Sequence, residues 1–316
     1  MIKFSDCKIG DNNVEIYALV ENFSKRTTPN NAGYYSASLT DGEQTVDARA
    51  WSCEIFEANN VKVGNVYCFT VDVTNYNNKA QYKITNLRSV DDNEVNLDSF
   101  VKSAPISQEE LMRGIAEYTK KIKNKTLYDL VVKLIKENKT SYFEYPAAVT
   151  MHHNFKGGLS YHALSMLHLA DALLDLYPGM NSDLLYAGII IHDIGKTKEL
   201  SGYKATTYTE DGNLLGHIVI GLQLLAVAAK EEGVSDTEEV RALSHLIASH
   251  HGEGEFGSPK EPGMMEAQAL HLLDLLDSRM ASFSPEVVKT KKGSYTSPIS
   301  TINRKSLYVP NIKSDE

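Results

Sequence analysis

The chain has 316 residues, 42% hydrophobic and 23% charged, with 32 basic against 41 acidic side chains and a net charge of −9. At about 150 residues per domain the length allows two domains, and its unremarkable Gly and Pro counts exclude collagen-like, coiled-coil and disordered chains. The acidic balance argues against indiscriminate binding to polyanions, while leaving room for a local basic patch or a metal cluster that attracts nucleic acid.

The opening segment, residues 1–13, lacks the continuous apolar stretch of a signal peptide. The longest apolar run, residues 184–191, is far short of the roughly 20 residues a membrane helix needs. Three scattered cysteines (Cys7, Cys53 and Cys68), with no C-x-x-C spacing, suit a reducing compartment. A cytoplasmic protein with no membrane contact is expected.

Residues 1–90 read as β. Val14–Ile16–Ala18–Val20, Tyr35–Ala37–Leu39 and Val46–Ala48–Ala50 alternate with polar residues at period two. Asp41-Gly42 between two of these runs is a hairpin signal, and two further runs follow at 66–73 and 80–87. Five short strands in so few residues fit a small closed barrel, of which the OB-fold is the commonest kind. Tyr35 to Trp51 resembles the second and third strands of OB-folds that bind single-stranded nucleic acid. Tyr34, Tyr35, Trp51, Tyr76 and Tyr82 either stack bases or fill the barrel. Lys25, Arg26, Lys79 and Lys83 fall in or beside the expected loops.

Residues 91–107, acidic and then Ser-Ala-Pro, read as a linker. From Ser107 the period changes to 3.6, opening with the capping box Ser107-x-x-Glu110. A second box, Ser235-x-x-Glu238, is expected to open the helix carrying His245, His250 and His251, and helices dominate to about residue 283. The remainder looks irregular and basic, with Lys289, Lys291, Lys292, Arg304, Lys305 and Lys313.

All ten histidines lie between His152 and His271. Within that window an apolar helix runs straight into His192-Asp193, with Gly195 expected near its C-cap. Asp274 lies inside the apolar run 270–276. Two buried carboxylates on separate helices, among several histidines, repel each other unless a cation lies between them. Val240, Leu243, Ile247, His250 and His251 share one helical stripe, whereas His245 points elsewhere. Adding His162 and His217 gives the order His162, His192-Asp193, His217, His250-His251, Asp274. A single histidine on an apolar face is usually a core residue; seven such groups in this order indicate a metal site.

That order resembles the signature of the HD-domain phosphohydrolases, an all-α metal-dependent superfamily. Residues 152–162, 188–196, 212–218 and 249–259 look like contiguous motifs of a narrower group, and with an OB-fold in front the chain resembles the YhaM-type 3′→5′ exoribonucleases. The fold expected is therefore α+β and multidomain. Its parts would be an OB-fold nucleic-acid-binding domain (1–90), a linker with leading helices (91–145), an HD phosphohydrolase domain (146–283) and a basic tail (284–316).

The resemblance implies two metal ions bridged by Asp193. His162, His192 and Asp274 would complete one coordination sphere, and His217 with His250 or His251 the other. The donor set suits Mn²⁺, Fe²⁺ or Co²⁺, and the resemblance implies Mn²⁺. Lys196 reads either as an extra cation for the phosphate or as a solvated lysine at a helix end. His153, part of a family motif, is expected to place the phosphate or protonate the leaving oxygen. His152 and His245 could equally be structural, and His168 and His271 have no role. Arg279, Lys291, Lys292, Arg304 and Lys305 would hold phosphates or simply solubilise the tail. The activity implied is release of nucleoside 5′-monophosphates from single-stranded RNA, with single-stranded DNA left open. A small-nucleotide phosphohydrolase and a non-catalytic binding protein with a vestigial site are the alternatives. A homo-oligomer, with a groove built from two chains, is also open.

Overall fold

A computed structural model describes residues 1–77, 79–91, 93–149, 153–252, 254 and 257–312. His152 and Glu255 of the quoted motifs, and Lys313 of the tail, lie outside the described residues. The chain divides into two compact units, Met1–Ser103 with Tyr203–Ala205, and Ala104–Gly202 with Thr206–Glu316.

The first unit is a closed five-stranded barrel. Its strands are β1 (Val14–Thr27), β2 (Gly33–Thr40), β3 (Thr45–Ala50), β4 (Val66–Tyr76) and β5 (Lys79–Ser89), with a short helix α1 (Glu54–Ala58) after β3. Around the barrel the order is β1-β2-β3-β5-β4, antiparallel except for the β3–β5 pair. The first part of β1 pairs with β4 and the later part with β2, and a register shift between Val20 and Asn22 marks where the strand bends from one partner to the other. Alternate residues Ile16, Ala18, Val20, Ala37, Leu39, Ala48, Ala50, Phe69, Val71 and Ile84 fill the interior. At the β2–β3 turn the buried Asp41 carboxylate accepts the backbone N–H groups of Glu43, Gln44 and Phe4. Gly42 has φ +88°, and a Cβ there would stand 2.0 Å from the Ser99 carbonyl oxygen. The stretch after β5, linker-like in composition, packs back through Val95 and Phe100 onto Leu19 and Val66.

The second unit is helical: α2 (Gln108–Lys121), α3 (Lys125–Glu137), α4 (Lys139–Glu144), α5 (Gly158–Leu176), α6 (Ser182–Ile191), α7 (Lys196–Glu199), α8 (Glu210–Glu231), α9 (Glu238–Ser249) and α10 (Met265–Lys289). The Ser107 capping box forms as expected: Ser107 accepts from the Glu110 N–H, and Glu110 accepts from the Ser107 N–H. The expected cap at Ser235 does not form; α9 is capped by Thr237, which accepts from the Val240 N–H. α6 is apolar all round because it is the central helix, packed by α2, α3, α5, α9 and α10 and buried from Leu184 to Ile191. α8 is long and apolar enough to cross a membrane, with a mean hydropathy of 1.7, yet it carries His217 and packs on α3, α7 and α9. α10 continues through Pro285 to Lys289. The segment after it, expected to be irregular, contains a small antiparallel pair, β6 (Ser294–Tyr295) with β7 (Tyr308–Val309).

Candidate metal centre

Helix ends converge at one point of the helical unit. α6 finishes with His192 at its C-cap, and Asp193 follows in the turn that leads into α7. His250 is the C-cap of α9, with His251 beside it. α8 is broken at Gly216, whose φ of 74° and ψ of 159° are non-helical, and His217 comes directly after the break. Gly195 caps α7 at its N-terminal end rather than α6 at its C-terminal end, in ordinary helical backbone (φ −61°, ψ −25°). What requires glycine there is space, because a Cβ would lie 1.9 Å from the His217 carbonyl oxygen. His162 rides on α5, and Asp274 and Asp277 lie one turn apart on α10.

The hydrogen bonds of these rings fix which nitrogen carries the proton. His192 Nδ1–H donates to the Ile189 carbonyl at 2.8 Å, and His250 Nδ1–H donates to the Ile247 carbonyl at 2.8 Å. His217 Nδ1–H points to Glu199 Oε1 at 3.2 Å. Each ring therefore turns an Nε2 lone pair toward Asp193, at 3.3 Å for His192, 3.5 Å for His217 and 3.6 Å for His250. Those three Nε2 atoms and Asp193 Oδ1 are buried and have no hydrogen-bond partner among the described residues. Acceptors facing acceptors in a buried site cost energy unless a cation lies between them. Donors held at about 2.1 Å from one ion stand roughly 3–3.4 Å apart, close to these separations. The donor set fits a divalent metal.

The charges agree. Burial alone would raise the Asp193 carboxyl, but the Lys196 ammonium at 2.7 Å holds it well below the usual carboxylate range. Burial depresses His250 strongly, against the charged form of its ring. Burial would lower Lys196, and Asp193 outweighs it and keeps the ammonium charged. On the α5–α10 side, His162 Nε2 faces Asp274 Oδ1 at 3.3 Å, and its Nδ1 meets Asp277 Oδ2 at 2.7 Å. Burial would lower His162, yet hydrogen bonds to both carboxylates push it up to about 9, so a cation at Nε2 would take the place of a proton there.

The seven groups singled out in the sequence are thus brought together. Successive ring centroids are 5.4 Å apart for His162–His192, 5.1 Å for His192–His250, 4.3 Å for His250–His251 and 5.1 Å for His217–His251. His250 is fully buried and aims Nε2 at Asp193, whereas His251 is partly exposed beside His217. Asp274 is partly exposed; the leucines flanking it at 272 and 276 face outward. His153 is buried, with Nε2 2.7 Å from Asp277 and left-handed backbone (φ 52°). His245 accepts from the Gly263 N–H, His271 donates to the His250 carbonyl, and His168 packs against Tyr118. Arg279, Lys291, Lys292, Arg304 and Lys305 are exposed, and none bonds to the centre's side chains among the described residues.

Three residues escape a reading of the sequence: Asp277, Glu199 and Ser165, whose hydroxyl donates to Asp277. In the barrel Tyr35 is partly buried, stacked on Phe56 with centroids 5.0 Å apart, and Tyr82 is buried with its hydroxyl on the Phe4 carbonyl. Trp51 is 43% exposed, lies 4.8 Å from Tyr34, and has the Arg49 guanidinium over both rings.

Residues 159–280 match the family model of the HD domain. The helical unit is thus an HD-domain metal centre joined to an OB-like barrel. Over 298 residues the chain is 40% identical to the 3′-5′ exoribonuclease YhaM of Bacillus subtilis (strain 168), covering 94% of this chain and 95% of that one. It is 38% identical over 309 residues to the 3′-5′ exoribonuclease YhaM of Listeria welshimeri, covering 98% of each. The chain belongs to the YhaM family.

Proposed function

We propose that this chain is a metal-dependent 3′→5′ exoribonuclease that shortens single-stranded RNA to nucleoside 5′-monophosphates, with single-stranded DNA as a further substrate. The observation that carries the reading is the set of buried, inward-facing donors on His192, His217, His250 and Asp193, within a chain matching exoribonucleases over nearly its whole length. His162, His192, Asp193 and Asp274 would hold one divalent ion, and His217 with His250 or His251 a second, Asp193 being shared. Such ions activate water and neutralise charge on phosphoryl oxygens, and Mn²⁺ is the species we favour over Fe²⁺ or Co²⁺.

The chain's own groups do the rest. Lys196 keeps a half-buried positive charge on Asp193 that a phosphate oxygen can recruit. His153, held on the carboxylate that also holds His162, steadies that pair and presents its ring to the scissile phosphate. In the barrel domain, the exposed Trp51 with the half-buried Tyr34 and Arg49 forms a π-cation surface suited to stacking bases of any sequence. Tyr35 supports that strand from within. Arg279, Lys291, Lys292 and Arg304 supply exposed positive charge for upstream phosphates. The reading includes a cytoplasmic location and a homo-oligomer. The exposed Leu272, Leu276 and Met280 along α10 support the second, and light scattering tests it.

A 5′-labelled oligoribonucleotide incubated with the chain and Mn²⁺ should shorten stepwise from its 3′ end, and EDTA or Asp193→Ala should stop it. Intact RNA, or faster turnover of mononucleotides or cyclic dinucleotides than of oligomers, overturns the proposal. A parallel DNA oligomer decides the second substrate.

A further inference from the structure

We infer that Glu199 and Asp277 are positioning carboxylates: each accepts the Nδ1–H of one ligand imidazole and thereby aims the opposite nitrogen into the metal centre. The inference rests on the metal-centre reading above.

An imidazole ligand must keep its lone pair on the nitrogen that faces the ion, and the hydrogen bond made by the other nitrogen decides this. His192 and His250 solve the problem locally. Each ends a helix, where the last carbonyls have no intrahelical amide partner, and the carbonyl three residues back accepts Nδ1–H. His162 and His217 bond through Nδ1 to carboxylates rather than to a helix-end carbonyl. His162 sits within α5, where the carbonyls serve the helix, and His217 follows the break at Gly216. Both are served by carboxylates from other helices instead. Asp277 Oδ2 lies 2.7 Å from His162 Nδ1. Glu199 Oε1 lies 3.2 Å from His217 Nδ1 and also accepts the His217 backbone N–H at 2.9 Å. The break at Gly216 releases that N–H from the helix, so one oxygen holds His217 by both backbone and ring.

Asp277 stands close enough to His153 and His162 for the three to share an ion, but both of its oxygens are already engaged. Asp277 Oδ2 takes two imidazole contacts at 2.7 Å, from His162 and His153, and Oδ1 takes the Ser165 hydroxyl. It lies on the Nδ1 side of His162, while Nε2 faces Asp274. Glu199 likewise lies on the Nδ1 side of His217, while Nε2 faces Asp193. Both carboxylates are buried, so their bonds are shielded from water.

The test is a Mn²⁺ titration of the full chain, with free Mn²⁺ read by EPR, for wild type, Glu199→Ala, Glu199→Gln, Asp277→Ala and Asp277→Asn. The alanine variants should bind Mn²⁺ about 10- to 100-fold more weakly, and the amide variants, which keep a carbonyl acceptor in place, should recover most of that loss. Thermal melts in EDTA report folding separately. If an alanine variant does not fold, the wild-type chain loaded with Zn²⁺ still decides. Its histidine ¹⁵N spectra should show His162 and His217 protonated at Nδ1 and metal-bound at Nε2. Opposite tautomers, or folded alanine variants binding Mn²⁺ within twofold of wild type, overturn the inference and leave the metal centre standing. A wild-type chain that takes up no Mn²⁺ overturns the metal-centre reading itself.

Discussion

Gly195→Ala is the smallest change that reaches the centre through packing alone. The residue has helical φ and ψ, so alanine costs nothing in backbone conformation. The added methyl group, however, would lie 1.9 Å from the His217 carbonyl oxygen, 2.8 Å from its carbon and 2.7 Å from the Gly221 nitrogen. All three are backbone atoms, and none can rotate away. α7 and α8 must separate by roughly 1 Å or more to restore contact, at the overpacking cost of about 1–3 kcal/mol. For a unit of this size that lowers Tm by about 2–4 °C per kcal/mol. The same separation moves His217 off its position beside Asp193, where ligand distances tolerate only about 0.2 Å. Mn²⁺ affinity should therefore fall at least about tenfold, and 3′→5′ degradation with it, while far-UV circular dichroism stays that of a folded helical protein. A variant with wild-type Tm and Mn²⁺ affinity within twofold would refute the reasoning, because it would show that the two helices do not approach as closely as described.

Gly188→Ala is the matched control: its Cβ would meet Leu246 Cδ2 at 2.1 Å, a side-chain end inside the core. It should lower Tm by less, because Leu246 can rotate, and leave Mn²⁺ affinity unchanged, as melts and titrations will show. Trp51→Ala and Tyr34→Ala should each weaken binding of single-stranded RNA by about 1–3 kcal/mol in filter-binding assays without lowering Tm, whereas Tyr35→Ala should lower the Tm of the barrel. Asp41 supplies a pH test. Burial would raise its carboxyl, but three backbone N–H groups outweigh that and hold it below the ordinary value. Its contribution is thus complete above the unfolded value near pH 4 and is lost as pH falls through the lower folded value. Asp41→Asn should cost about 1–3 kcal/mol at pH 7 and flatten the acid side of the stability profile, measured by melts from pH 7 to pH 2.

Local rules carried much of this fold into view. The period-two runs became barrel strands because one face of each strand is buried, and Asp41-Gly42 became a turn because the carboxylate and the left-handed glycine are both used there. The same parity argument also decides between Tyr34 and Tyr35. Tyr35 shares its face with Ala37 and Leu39, which are interior, so it belongs to the core, and Tyr34 and Trp51 are left outside. Of the two roles open to Tyr35, stacking bases or filling the barrel, the alternation that locates its strand favours the second. The α9 cap moved from Ser235 to Thr237 for a simpler reason: both residues can cap, and the turn from Val234 to Thr237 uses up the earlier one.

The centre divides along the same line between local and distant causes. His192 and His250 were legible because an apolar helix that ends in histidine supplies both the burial and the carbonyl that sets the ring. One Nδ1–H bond satisfies a helix-end acceptor and fixes the tautomer together. Asp277 could have been found, since it stands one turn from Asp274 and therefore on the same side of α10. Glu199 could not. It lies in the short polar run 196–199, where its side chain looks solvated, and only the fold places it under His217. Residues that would hold an ion can be read from type and order, because an ion restricts both. The groups that orient ligands are dictated by whichever helix passes behind, so they share no spacing with the ligands they serve.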